Sequence, residues 1–227
     1  MIMTCKNFFL SFVPVLLLLS CNGDDPAPGV RFGMKAVAME SMIGGRKAHG
    51  VVTFQEVKAG VSKVELQTAS VQDDPELEAE FKGAFLVDLL EGTSDPDFGL
   101  ATLTPANYDK VEFNLSPLLS GGKSLFIRFI HDQTQFELST GQELELEVEG
   151  LSGLGLSSAS GAKDLLVQID LDQLFMGITL DTLVPGNDGV VRINDSTNSG
   201  VLAQILENFE DSCEAGEDRD RDGEIDD

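Results

Sequence analysis

The residues with the most legible chemistry lie near the carboxyl end, in Asp218-Arg219-Asp220-Arg221-Asp222-Gly223-Glu224-Ile225-Asp226. Oxygen ligands recur there at alternate positions, and a glycine permits the sharp turn that a loop wrapping a hard cation needs. Asp218, Asp220 and Asp222 would supply side-chain oxygens, Glu224 its carbonyl, and Asp226 would bind directly or through water. The sequence ends at Asp227, short of a twelfth loop position for a bidentate acid. A weak calcium site is therefore expected unless another carboxylate, Glu214 or Glu217 for example, completes the shell. Eleven acids and two arginines lie between Glu207 and Asp227, so mutual repulsion is expected to hold this tail open without a counter-ion. The competing expectation is a solvated, frayed run of acids.

Other groupings lead to less. His49 and His131 are the two imidazoles, and neither stands at metal-ligand spacing from the other or from Cys213. Each reads as a surface or strand histidine. His131-Asp132 sets a base beside an acid, yet no Ser or Cys in a nucleophile-elbow context accompanies it. Met34, Met39 and Met42 precede His49 in a pattern reminiscent of soft copper ligands, but methionine at strand positions is usually core filling. Gly121-Gly122-Lys123-Ser124 has the ending of a phosphate-binding loop, whereas position 117, which needs glycine, is proline. Those residues read as a hairpin turn. With 39 acids in the chain, any glycosidase pair would be arbitrary, since no aromatic cleft flanks one. No catalytic residue is expected.

The elements that must carry these residues read as strands. Val30 to Met42, Val51 to Lys58 and Val61 to Val71 are β-branched stretches punctuated by Gly44-Gly45 and Gly60. Gln72-Asp73-Asp74-Pro75 breaks the pattern, after which Phe81, Gly83, Phe85, Val87 and Leu89 line one face. Val111, Phe113 and Leu115 alternate with polar residues, as do Leu125, Ile127 and Phe129, and the turn at Gly121-Gly122 predicts that these two strands pair. Leu144, Leu146 and Val148 alternate with Glu143, Glu145, Glu147 and Glu149, the pattern of a strand with one buried face and one acidic solvated face. A Gly/Ser-rich loop from Leu151 to Lys163 precedes a strand built on Leu165, Val167, Ile169 and Leu171, and Val190 to Ile193 forms a short last one. Val201, Leu202, Ile205, Leu206 and Phe209 fall on one helical face, with Asn198 or Ser199 as N-cap. Strands at regular spacing without intervening helices predict a mainly β, antiparallel sandwich or barrel-like fold with one short C-terminal amphipathic helix.

The amino-terminal segment carries an address. One lysine, Lys6, precedes an apolar run from Phe8 to Leu19, the n-region and h-region of an export signal. The run is shorter than the roughly 20 apolar residues a membrane-spanning helix needs. The expected organisation is a signal over 1–20, a polar tether over 21–29, a sandwich over 30–196, a packed helix over 197–212 and an acidic calcium-loop tail over 213–227. The formal net charge of −24 becomes one unit more negative when Lys6 leaves, which excludes nucleic acid as a partner and favours cations or basic surfaces. Cys5 leaves with the signal, and if Cys21 is modified Cys213 is the one thiol remaining, so that no internal disulfide is expected. In an exposed segment it would support an intermolecular disulfide.

Leu18-Leu19-Ser20-Cys21 resembles the lipobox of bacterial lipoproteins, in which the signal is cut before the cysteine and the thiol is acylated. That resemblance implies membrane attachment through Cys21, and the acids just after it resemble those of lipoproteins that Bacteroidota display on the outer surface. Phe85-Leu86-Val87-Asp88-Leu89-Leu90, Gly99-Leu100-Ala101 and Thr104-Pro105-Ala106-Asn107-Tyr108-Asp109-Lys110-Val111 resemble a group of bacterial lipoproteins with a sandwich domain of unknown function. Here Asn107 stands where that group carries glycine. The C-terminal loop resembles an EF-hand loop or, more closely, a thrombospondin type 3 calcium repeat. The functional expectation is a membrane-anchored, non-enzymatic lipoprotein of the outer membrane, periplasmic or surface-exposed, that binds, adheres to or supports an unknown envelope or extracellular partner. A carbohydrate-binding accessory lipoprotein is the alternative, although such proteins display aromatic platforms and this chain has no Trp and a single Tyr. A hydrolase ranks third.

Overall fold

A computed structural model of the chain describes residues 29–38, 52–68, 78–103, 108–151 and 162–226. The segments expected as an export signal and a tether, Cys21, Met39, Met42, His49, the expected break at Gln72 to Pro75, the Pro105-Ala106-Asn107 motif and most of the expected Gly/Ser-rich loop lie outside the described residues.

Alternating apolar residues build two open sheets around one core. The smaller has four strands in the order β12 (Cys213–Glu217), β10 (Ala162–Asp170), β1 (Gly29–Val37) and β5 (Leu100–Thr102). At its centre β1 and β10 run parallel, setting Phe32, Met34 and Ala36 beside Leu165, Val167 and Ile169, all buried. The larger sheet holds β2 (Val52–Thr68), β3 (Glu78–Asp88), β4 (Thr93–Asp95), β6 (Tyr108–Leu115), β7 (Leu125–His131), β8 (Thr134–Thr140), β9 (Leu144–Glu149) and β11 (Val190–Asn194). Aromatic rings bridge the layers: Phe32 of β1 meets Phe98 edge-on at 5.0 Å, and Phe98 lies 4.5 Å from Phe85 of β3. The fold is thus a β-sandwich, antiparallel except for the β1–β10 and β8–β11 pairs.

Two details of connectivity differ from the expected pattern. Gly60 does not divide two strands, because β2 runs unbroken through it for 17 residues. β6 and β7 do not pair with each other. They lie end to end along one edge of β2, β7 against Val52–Ala59 and β6 against Val61–Thr68, while β3 takes the other edge. Gly60 marks the fork, donating its N–H to Ser124 O and accepting from Ser116 N. A methyl group there would stand 2.6 Å from Ser116 O, so close an approach of two backbones requires glycine. The Gly121-Gly122 turn closes only a small bridge between Leu119 and Lys123.

The helices finish the core. α1 (Leu171–Leu174) is capped by Asp170, whose carboxylate accepts from Asp172 N and Gln173 N. α2 (Ser199–Asp211) buries Leu202, Ile205 and Phe209, the spacing that one helical stripe requires. Asn198 holds the N-cap position in a left-handed conformation, but its side chain donates instead to Arg192 O. After Ser212 the chain does not trail away as an open tail. It turns into β12, which pairs antiparallel with β10.

Candidate metal centre

The acidic loop leaves the end of β12 and folds back on it. Asp218 N–H donates to Asp164 O of β10, extending the ladder by one bond, and Asp226 N–H returns to Glu217 O. Between these anchors the acids organise the turn themselves. Asp218 Oδ2 accepts from Gly223 N, Asp220 Oδ1 from Asp222 N, and Asp222 Oδ1 from Glu224 N. Gly223 has φ +83° and Arg221 φ +64°, so the chain reverses within a few residues.

The alternation in sequence becomes alternation in space. The Asp218, Asp220 and Asp222 carboxylates converge, with one oxygen of each within 4.8 Å of the others. The arginines between them turn to other acids: Arg219 Nε lies 3.3 Å from Glu217 Oε2 and Arg221 Nε 3.0 Å from Asp164 Oδ2. Asp218 is 8% exposed, and its Oδ1 is buried without a hydrogen-bond partner. A buried anionic oxygen without a donor costs about 1–3 kcal/mol or more, and a cation among the three carboxylates would remove that cost. The donor set is all oxygen, which suits calcium better than any metal favoured by imidazole or thiolate.

The five residues expected as ligands are therefore split. Asp218, Asp220 and Asp222 come together, while Asp226 turns its Oδ2 to Arg219 N at 2.5 Å and Glu224 contributes a backbone N–H to Asp222. Glu217, a candidate for completing the shell, pairs with Lys163 and Arg219. Glu214 is exposed on β12 beside Gln168. Sequence reasoning missed the platform under the loop, made of Lys35, Asp164, Gln168 and Gly216. No signal joins these residues to the loop, because strand pairing alone brings them there.

A second grouping, His131, Asp132 and Asp181, has a different character. His131 is 3% exposed, and its partner is Asp181, 2.8 Å from Nε2, more than the adjacent Asp132 at 4.0 Å. With Nε2–H donating to Asp181, only a lone pair on Nδ1 is left buried without a partner. A metal on Nε2 would shift the proton to Nδ1, where no acceptor awaits it, and ligating histidines normally have one there. The pair fastens the β7–β8 turn to the 3-10 turn Leu180–Thr182.

Cys213 opens β12 with its thiol turned inward, donating to Phe209 O at 3.2 Å. The residue is half-buried, and burial pushes the thiol up to about 12 from an ordinary 9.0, which disfavours the thiolate that the expected intermolecular disulfide needs. A groove of about 480 Å³ on the larger sheet is lined by Glu56, Lys58, Leu86, Lys123, Phe126 and Arg128. Phe126 is 9% exposed and covered by Lys123 and Arg128, and Tyr108 is 1% exposed. Neither ring offers the open face on which a sugar stacks. No family model, no curated protein and no solved structure matches the chain.

Proposed function

We propose that the protein is a non-enzymatic lipoprotein of the bacterial envelope, tethered through an acylated Cys21, whose sandwich presents a calcium-binding loop. The observation that carries the calcium assignment is that Asp218, whose Oδ1 is buried without a hydrogen-bond partner, has a carboxylate oxygen within 4.8 Å of oxygens of Asp220 and Asp222. Three carboxylates with outward arginines supply a concentrated negative charge that only a cation balances. Calcium tolerates irregular shells at extracellular, roughly millimolar concentrations, whereas magnesium demands near-octahedral geometry and keeps its waters. The lipobox resemblance and the apolar run before it support the anchor. Acyl chains contribute about 0.8 kcal/mol per buried CH₂, so more than one chain on Cys21 makes attachment lasting.

The test is calorimetric titration of calcium into the purified protein in detergent, beside a variant with Asp218, Asp220 and Asp222 all changed to Asn. The wild type is expected to bind calcium with a heat that the variant lacks, and to respond weakly to magnesium. Equal heats from the two proteins, or an equal response to magnesium, would reduce the loop to a solvated charge run.

A further inference from the structure

The cation loop does not hang from the sandwich; it is pegged to three strands at once. Asp218 N–H bonds Asp164 O of β10, Gln168 of β10 donates through Nε2 to Gly223 O at 3.2 Å, and Lys35 of β1 donates through Nζ to Asp222 O at 3.4 Å. Asp164 receives Arg221 from the loop and Arg31 from β1. On β12 the loop presses Ile225 over Gly216 so closely that a methyl group on Gly216 would lie 2.1 Å from Ile225 Cγ2. Each peg belongs to a residue that is itself a carboxylate ligand or lies within three positions of one.

The strand these pegs secure has little else to hold it. Among the described residues β12 is the outermost strand of its sheet, five residues long, and pairs with β10 alone. Its sequence, Cys-Glu-Ala-Gly-Glu, lacks the β-branched and aromatic residues that favour strands, and its interior glycine weakens it. Glu214, Glu217 and Glu224 each lie within four positions of one of the three aspartates along the chain. Without a cation, repulsion among these acids pushes the loop open and draws its pegs away from β1 and β10.

From this arrangement we infer that the loop is a cation-operated clasp: an ion held by Asp218, Asp220 and Asp222 keeps β12 paired to β10, and removal of the ion lets β12 fray from its Glu217 end. The inference rests on the calcium assignment above and adds its consequence for the fold. Fraying uncovers the backbone of Leu165–Ile169 in β10, an unpaired strand edge on which other strands can add. It also loosens Cys213, at the far end of β12, opposite Ile169.

Amide hydrogen exchange on the full purified protein, with calcium in excess and with calcium chelated, reads the clasp directly, and calorimetry on the same sample reads binding. Chelation should speed exchange over residues 213–226 by about tenfold or more while leaving β7 and β8 unchanged. Ile225→Ala, which keeps every carboxylate, should raise exchange of β12 in calcium and weaken calcium binding by the same linkage. Calcium bound by calorimetry with exchange over 213–217 unchanged would overturn the clasp and leave the binding assignment standing. Absence of binding would overturn both. Unaltered β12 protection in a binding-competent Ile225→Ala protein would overturn the coupling between loop and strand.

Discussion

At the scale of single residues, burial decides what the chemistry can be. Asp218 lies first in an alternating acidic run, and that alternation is legible in the sequence; its burial is not, because Asp164, the residue whose carbonyl holds it, stands 54 positions earlier on another strand. Asp226 and Glu224 fit the same sequence pattern but serve the turn, the first through Arg219 N and the second through Asp222. His131 shows the same limit, since its adjacent acid was visible and its real partner, Asp181, arrives from a distant turn. Cys213 is half-buried for a reason equally remote from its neighbours in sequence: β12 pairs with β10 and the thiol donates to Phe209 O. Its folded pKa of about 12 exceeds the ordinary 9.0, so the folded protein keeps this proton while the unfolded chain gives it up. The stability this contributes is fully present below about pH 9 and falls, by about 1.4 kcal/mol per pH unit at most, between the two values. Denaturant unfolding measured across pH 8–11 should show that loss in the wild type and a shallower slope in Cys213→Ala. Identical slopes would mean the thiol is already solvated.

At the scale of elements, faces were easier to read than partners. The alternations in β3, β9 and β10 and the stripe of α2 follow directly from side-chain period, and they bury most of the residues assigned to them, whereas Gly83 is exposed and Leu144, Val201 and Leu206 are half-buried. Pairing follows from long-range geometry that period does not encode. Gly60 reads as a turn because glycine usually punctuates strands, yet here it admits a crowded crossing where β6, β7 and their connection meet β2. The same crossing explains why β6 and β7 lie end to end. Gly60→Ala is expected to cost at least about 1–3 kcal/mol, since the obstructing atoms are backbone Ser116 O and the root of Leu118 rather than a movable side-chain tip. The denaturation midpoint should fall with little change in slope. A midpoint within error of the wild type would show that β2 does not fork at this residue.

At the scale of the whole molecule, a strongly acidic chain folds into a sandwich that carries a converging acidic loop near its carboxyl end, and we propose a lipid anchor at Cys21. The proposed address rests on local composition and the lipobox resemblance alone, so the sequence supplies all of its support. Metabolic labelling with a fatty acid should mark the wild type and not Cys21→Ala, and the variant should leave the membrane fraction. Label retained by Cys21→Ala would refute the anchor. The loop needed structure, since only the packing of β12 against β10 distinguishes converging aspartates from a solvated tail. The most direct test of that distinction is calcium calorimetry on Asp218→Asn, whose amide oxygen can still accept from Gly223 N while the buried negative charge is gone. The wild type should bind one calcium per chain with Kd of about 10⁻⁴ to 10⁻³ M, and Asp218→Asn should bind about tenfold more weakly or not at all. Equal affinity in the two proteins would contradict a calcium site centred on Asp218.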